Sequence, residues 1–167
     1  MFVLIDTCFW MHAQELFNAD VLDLRSPLSF FRLGTTEEVL RELKRFHLED
    51  FAPMVDLYVL PLSKGEWDDA LRRNPTLTEF DPADQTLAIV ALRDKCLLLT
   101  DDGDLFLESQ ALGIEVYRLP AFCVKLARDF DLPKRIVAQC LRYWESAGCY
   151  KKKDIKKWKA ELQLNGG

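Results

Sequence analysis

The length, composition and charge of the chain restrict the kinds of protein it can be. Its 167 residues are 49% hydrophobic with a formal net charge of −5, which is enough to bury one sizeable core, so we expect a single domain over residues 1–167. All its apolar runs are far shorter than the roughly 20 residues that span a membrane. We therefore expect a cytoplasmic protein with no membrane partner, and its two histidines and five scattered cysteines offer no zinc-binding spacing.

The first predicted element is a buried strand that ends in a carboxylate. Residues Phe2 to Ile5 are apolar without polar alternation, which is typical of a strand covered on both faces in a parallel sheet. Asp6 follows directly, and parallel sheets bind ligands at the carboxyl ends of their strands. A carboxylate there is costly to desolvate unless a cation or hydrogen-bond donors meet it. Asp6 therefore marks a candidate site.

Strand and helix patterns alternate over residues 1–120, and only helical patterns follow. Predicted strands cover residues 2–5, 30–33 (broken by Gly34), 57–62, 96–100 and 114–119. Predicted helices cover residues 7–17, 35–46, 64–74, 81–94 and 105–112, and a loop contains Ser26 and Pro27. This alternation indicates a three-layer α/β/α fold with a mostly parallel sheet of about five strands in the order 3-2-1-4-5. Residues 120–167 are expected to form a C-terminal helical extension of the same domain.

Acidic residues fall repeatedly at the carboxyl edge of this predicted sheet. They are Asp6 after the first strand, Asp101, Asp102 and Asp104 after the fourth, and Asp81 and Asp84 in the first turn of the helix before the fourth strand. The predicted order makes the first and fourth strands neighbours, so their ends flank the ligand crevice of a doubly wound sheet. Carboxylates without histidine or thiolate are hard oxygen ligands that suit Mg²⁺ or Mn²⁺. Such a site favours metal-assisted hydrolysis of a phosphodiester.

Each acid taken singly has a simpler explanation. An aspartate after a strand often only caps the next helix. Glu42 lies within a predicted helix beside Arg41, where an ordinary exposed acid is the alternative. The coincidence of position, rather than any one residue, supports the metal site.

Four segments taken in order, VLIDT, VLREL, ADQTLAIVAL and LLLTDDGDLF, resemble the PIN-domain ribonucleases. This family includes the toxins of bacterial and archaeal toxin–antitoxin pairs, and the resemblance covers about residues 1–120. It implies an endoribonuclease that depends on Mg²⁺ or Mn²⁺ and has RNA as its substrate. It also implies an antitoxin protein as partner if the chain is a toxin, and members of the family are often homodimers.

The resemblance assigns an expected role to each candidate residue. The family's four acidic positions correspond to Asp6, Glu42, Asp84 and Asp102. Asp6, Asp84 and Asp102 are the expected metal ligands, with Glu42 ligating directly or through water and Asp104 at a second metal position. Around them, Thr7 and Thr100 are expected to hydrogen-bond to carboxylates or the scissile phosphate, with Asp81 nearby and Asp101 as the adjacent alternative to Asp102. The chain departs from the family at Cys8, a poorer hydrogen-bond donor than the usual serine or asparagine.

Basic residues provide candidate contacts for RNA phosphates, and residues 149–167 alone contain six lysines. The candidates are Arg41, Lys44, Arg45, Lys151, Lys152 and Lys153, and a solvated helix surface is the alternative for each. A stand-alone nuclease is the alternative to a toxin. A catalytically silent PIN-like module that binds RNA or a protein is the alternative to an enzyme.

Overall fold

The computed structural model describes residues 1–164, so residues 165–167 of the predicted extension lie outside the described part of the chain. The strands are β1 (Phe2–Ile5), β2 (Arg32–Thr35), β3 (Tyr58–Val59), β4 (Leu97–Leu99) and β5 (Val116–Tyr117). The helices are α1 (Thr7–Asn18), α2 (Arg25–Leu28), α3 (Glu37–Arg45), α4 (Lys64–Arg73), α5 (Pro82–Asp94), α6 (Gly103–Ala111), α7 (Leu119–Asp129), α8 (Lys134–Ala147) and α9 (Lys152–Leu164). Short 3₁₀ turns cover Met54–Asp56 and Pro75–Glu79.

The strands form a parallel sheet in the order β3-β2-β1-β4-β5. Its central strand, β1, pairs with β2 on one side and β4 on the other, so that Leu4 lies opposite both Gly34 and Leu98. The last three residues of β1 are buried, which explains its unbroken apolar sequence. The predicted α/β fold with strand order 3-2-1-4-5 is confirmed, and β1 and β4 are neighbours.

The structure differs from the sequence-based expectation at Gly34. This glycine lies inside β2 and is buried, instead of breaking a strand at Leu33. A Cβ atom at this position would lie 3.0 Å from Leu4 Cδ2 and 3.0 Å from Leu60 Cδ1. The predicted break is wrong because the glycine serves close packing between neighbouring strands rather than a turn.

Other predicted boundaries also need correction. Ser26 and Pro27 lie in the short helix α2, where proline is tolerated because N–H groups in a first helical turn have no intrahelical acceptor. The strands β3 and β5 are shorter than predicted, and each is an edge strand that pairs on one side only.

The C-terminal helices pack together through aromatic residues. Trp144 of α8 and Trp158 of α9 are buried, and both rings meet the ring of Tyr150 edge-on, with centroids 5.6 Å and 5.4 Å away. These helices are the predicted extension, and the extent of the domain over residues 1–167 stays a prediction. Among the described helices, none is both long and apolar enough to cross a membrane.

Substitution of Gly34 by valine should lower the free energy of unfolding by about 1–3 kcal/mol, because the added methyl groups must displace Leu4 or Leu60. Denaturant unfolding followed by circular dichroism measures this change. The matched control is Gly65→Ala in the exposed part of α4, where a Cβ meets nothing within 4 Å. That variant should be slightly stabilised, because alanine favours the helix. Equal effects in the two variants would contradict the packing role of Gly34.

Candidate active site

Five of the predicted acidic residues begin helices or follow strands at one edge of the sheet. Asp6 follows β1 and precedes α1, and Asp102 follows β4 and precedes α6. Asp81 precedes α5, whose first turn contains Asp84, and the first turn of α6 contains Asp104. Because β1 and β4 are parallel neighbours, the residues after them leave the sheet side by side.

Asp6 is the most enclosed of these acids, with 3% of its surface exposed. Its Oδ2 atom accepts hydrogen bonds from the Thr100 hydroxyl at 2.7 Å and from the Cys8 thiol at 3.0 Å. Its side chain makes no capping hydrogen bond to α1, although it occupies the N-cap position. The simpler explanation of Asp6 as a helix cap is therefore wrong, since its Oδ2 atom accepts instead from Thr100, just after β4, and from Cys8 in α1.

Asp102 and Asp81 do cap helices. Asp102 Oδ1 accepts the Leu105 N–H at 2.9 Å, and Asp81 Oδ1 accepts the Asp84 N–H at 2.9 Å. The Asp102 N–H in turn donates to the Thr100 hydroxyl at 3.1 Å. Thr100 therefore links Asp6 to Asp102 through one oxygen atom.

Glu42 reaches the same region from α3. The Thr7 hydroxyl donates to Glu42 Oε1 at 2.7 Å, and Arg45 Nη2 lies 3.5 Å from Glu42 Oε2. Only 14% of the Glu42 side chain is exposed. Because Thr7 directly follows Asp6, the hydrogen bond fixes Glu42 beside the end of β1, where an ordinary exposed acid would not lie.

Burial and neighbouring negative charge raise the pKa values of three of these carboxylates. Asp84 has its pKa raised to about 8, first by burial and then by the negative charges of Asp6, Asp81, Asp102 and Glu42. Burial also raises the pKa of Asp6, with the Asp102 charge adding to it and the bonds from Cys8 and Thr100 opposing it. Burial likewise raises the pKa of Glu42, with further contributions from Asp81 and Asp6. The region is therefore short of positive charge.

A cleft between the Pro75–Glu79 turn, α5 and α6 opens beside these residues, and we call it the acidic cleft. Its acidic lining residues are Glu79, Asp81, Asp84, Asp102, Asp104 and Glu108. Glu79 and Glu108 are not among the site residues predicted from the sequence. Glu108 lies four residues after Asp104, and this spacing, which places both on one face of α6, is the feature of the sequence that indicates Glu108. The Thr76 hydroxyl donates to Glu108 and ties the turn to α6.

Asp101 points away from the acidic cleft. Its buried carboxylate accepts hydrogen bonds from the Tyr150 hydroxyl and the Leu119 N–H, and Oδ2 lies 2.6 Å from His12 Nδ1. Burial alone would raise the pKa of Asp101, but the bonds from His12 and Tyr150 bring it below its ordinary value. Between the two alternatives, the structure therefore places Asp102, and not Asp101, at the cleft.

Cys8 connects the Asp101 main chain with Asp6. Its sulfur accepts the Asp101 N–H at 3.3 Å while the thiol donates to Asp6. Burial, followed by the Asp6 charge, raises the pKa of Cys8 far above the neutral range, so the thiol keeps its proton. Despite the poorer donor chemistry expected at this position, Cys8 hydrogen-bonds to the carboxylate.

The candidate RNA-binding residues form two groups, one on α3 and one at the start of α9. Arg41 pairs with Glu37 and Glu38 on α3, and Arg45 lies near Glu42. Lys44 is exposed on the same helix, and the second group, Lys151, Lys152 and Lys153, is exposed at the start of α9.

The donor chemistry of the site fits a hard cation, since carboxylate oxygens are the ligands that Mg²⁺ and Mn²⁺ prefer. Within residues 1–164, no three histidine, cysteine, aspartate or glutamate side chains form a group close enough to hold a metal ion as they stand. The charges of these carboxylates therefore act on one another, but their oxygens are not arranged as a complete set of metal ligands.

Comparison of the chain with protein-family models and with curated proteins finds no match. Among solved structures, it is similar to a PilT N-terminus domain protein from the hyperthermophilic archaeon Sulfolobus solfataricus P2. The two chains share 13% sequence identity, and the similarity covers 71% of this chain and 87% of that one with a TM-score of 0.47.

Replacing Asp84 by asparagine should raise the melting temperature of the metal-free protein, and the gain should grow with pH. The folded-state pKa of Asp84 is about 8, above its ordinary 3.8, so folding favours the protonated carboxyl. The contribution of this protonation to stability is complete only below about pH 4. That stability is lost as the pH rises through 8, whereas an amide stays neutral. Melting curves recorded in EDTA should show a gain of at least roughly 2–4 °C at pH 8.5 that shrinks towards pH 4.

The control for this variant is Glu49→Gln, which neutralises an exposed acid in the loop after α3. It should leave the melting temperature nearly unchanged at both pH values. A gain for Asp84→Asn that is independent of pH would contradict the electrostatic account of the cleft.

Proposed function

We propose that this protein is a metal-dependent endoribonuclease that hydrolyses RNA phosphodiester bonds at the acidic cleft. The observation that carries the proposal is the convergence of Asp6, Glu42, Asp84 and Asp102 from four parts of the fold: Thr100 joins Asp6 to Asp102, Thr7 holds Glu42 beside Asp6, and the charges of Asp6, Asp102 and Glu42 all act on Asp84. Asp84 and Asp102 line the acidic cleft, whereas Asp6 and Glu42 lie beside it. Like charges gathered at a cleft destabilise the fold, and such arrangements are typical of functional sites. The resemblance of the four acidic motifs to PIN-domain ribonucleases supports the same function.

In this proposal, Asp6, Asp84 and Asp102 hold Mg²⁺ or Mn²⁺. Glu42 contributes directly or through water, and Asp104 contributes to a second metal position. A bound divalent ion supplies positive charge for the phosphate and lowers the pKa of a bound water. The raised pKa of Asp84 fits this role, because a nearby cation would favour its ionised form.

The side chains around the carboxylates set their orientation. Thr100 donates to Asp6 and accepts from the Asp102 N–H, so it holds these two residues in fixed register. Thr7 holds Glu42 by its hydroxyl. The Leu105 N–H donates to Asp102 Oδ1 and so fixes the orientation of a carboxylate that would hold the ion.

Basic residues outside the cleft would hold the RNA backbone, since the acidic cleft itself repels phosphates. Lys151, Lys152 and Lys153 directly follow Tyr150, whose hydroxyl bonds to Asp101, the neighbour of Asp102 in the chain. Positive charges at the N-terminus of a helix are repelled by the helix dipole. The lysines at the start of α9 therefore do not stabilise that helix. Arg41, Lys44 and Arg45 form the second group of proposed phosphate contacts, on α3.

The same proposal covers the biological setting. As the toxin of a toxin–antitoxin pair, the protein would have an antitoxin protein as its partner, whereas a stand-alone nuclease would need none. A cytoplasmic location and a homodimer belong to this proposal as well.

Replacing Asp6 or Asp102 by asparagine should lower Mn²⁺-dependent cleavage of single-stranded RNA by at least about 100-fold, because each change removes a charged metal ligand. Even the loss of a group that only hydrogen-bonds to a metal ligand lowers metal affinity or activity by about 10–100-fold. Cleavage of labelled RNA by the intact protein measures this loss, with circular dichroism to show that the fold is kept. The matched control is Asp68→Asn on α4, an exposed aspartate that pairs only loosely with Lys64, at 3.9 Å. This control should cleave at the wild-type rate.

Unchanged cleavage in both the Asp6 and Asp102 variants would remove the nuclease proposal as it is located here. The silent-module alternative predicts a different pattern: no metal-dependent cleavage by the wild-type protein, and RNA or partner binding that EDTA leaves unaffected.

A further inference from the structure

The segment Thr100–Asp102 is held from two sides. On the side of β1, the Thr100 hydroxyl contacts Asp6, and the Asp101 N–H contacts Cys8. On the opposite side, the carboxylate of Asp101 extends into the interface between α1, α7 and the start of α9. The side chain of Asp101 is fully buried there.

Donors from three parts of the chain meet this one carboxylate. Asp101 Oδ2 contacts the hydroxyl of Tyr150, a residue just before α9, and Nδ1 of His12 on α1. Asp101 Oδ1 accepts a hydrogen bond of 3.2 Å from the N–H of Leu119, the first residue of α7. Hydrogen bonds to a buried charged group are among the stronger ones, and removing a donor leaves part of the charge unsatisfied. The position of Asp101 is therefore determined by the helices around it.

Tyr150 has its own position fixed by the C-terminal helices. Its ring packs edge-on against Trp144 of α8 and Trp158 of α9, and the Arg118 guanidinium lies 5.3 Å from the ring centroid. A continuous chain of contacts thus runs from α8 and α9 through Tyr150 and Asp101 to the residues that contact Asp6.

We propose that Tyr150 is a positioning residue of the acidic site, which holds Asp102 and Thr100 in register with Asp6 through the carboxylate of Asp101. This proposal rests on the proposed function, because it concerns the geometry of the same carboxylates. It assigns the C-terminal helices a part in the site, although they contribute no acid to it. His12 supports the same carboxylate from α1 as a second positioning residue.

Tyr150→Phe tests the proposal, because phenylalanine keeps the ring between the two tryptophans and removes only the hydroxyl. The matched control is Tyr143→Phe on α8, a half-buried tyrosine packed against the core. Two readouts on the intact protein separate positioning from stability: Mn²⁺ affinity from electron paramagnetic resonance of free Mn²⁺, and amide hydrogen exchange of Asp101 and Asp102. Cleavage kinetics below the melting temperature of each variant give kcat and KM.

For Tyr150→Phe we expect Mn²⁺ affinity and kcat to fall by about 10-fold, the lower end of the range for groups bonded directly to a metal ligand, because Tyr150 acts through Asp101. Amide exchange at Asp101 and Asp102 should become faster. The KM for RNA should stay within about twofold, because the RNA contacts are untouched. Tyr143→Phe should behave as the wild type in every readout.

A second pair of variants tests the same carboxylate from α1. His12→Leu should weaken Mn²⁺ binding in the same direction, whereas His12→Asn, which can place an amide N–H near the position of Nδ1, should restore most of it. The His12 side chain is 32% exposed, so both substitutions are compatible with folding.

The two proposals fail in distinguishable ways. A wild-type protein that neither binds Mn²⁺ nor cleaves RNA would contradict the proposed function, and this inference with it. A wild-type protein that does both, beside a Tyr150→Phe variant with unchanged Mn²⁺ affinity, kcat and amide exchange, would contradict the positioning role alone.

Discussion

The parallel pairing of β1 with β4 sets the geometry of the candidate site. Ile5 lies opposite Leu99 in the register, and the N–H of Asp6 donates to the Leu99 carbonyl at 2.9 Å. The next residues on the two strands, Asp6 and Thr100, therefore leave the sheet together and meet through a 2.7 Å hydrogen bond. A shift of one residue in this register would move Asp6 away from Thr100 and Asp102, because side chains alternate between the faces of a strand. The packing of β1 and β4 and the assembly of the acidic site are consequences of the same pairing.

The two neighbouring aspartates after β4 show how one short segment serves both stability and chemistry. Asp101 is buried among donors that lower its pKa, so its charge is compensated within the fold. Asp102 faces a cleft where carboxylates raise the pKa of Asp84. The compensated charge anchors the segment, and in the proposed function the charges of the cleft bind a cation. This division explains how a small domain can keep a costly cluster of like charges in a defined arrangement.

Much of this architecture was predictable from the sequence because the signals are local. The apolar run before Asp6 and the alternation of strands and helices were sufficient to predict the parallel sheet and the adjacency of β1 and β4. The prediction at Gly34 is wrong because a glycine that permits close packing between strands cannot be distinguished in the sequence from one that breaks a strand. The choice between Asp101 and Asp102 needed the structure, since their opposite directions depend on which side of the strand end the C-terminal helices cover. The contact between Tyr150 and Asp101 joins residues far apart in the chain and left no local pattern.

The proposed function requires Asp6, Asp84 and Asp102 to hold a divalent cation together. Diffraction at the manganese absorption edge from crystals soaked in Mn²⁺ tests this requirement, because the anomalous signal locates the ion without reference to activity. We expect a peak within coordination distance of carboxylate oxygens of Asp6, Asp84 and Asp102. A fully soaked crystal with no peak at these residues, or with manganese bound only elsewhere, would contradict it.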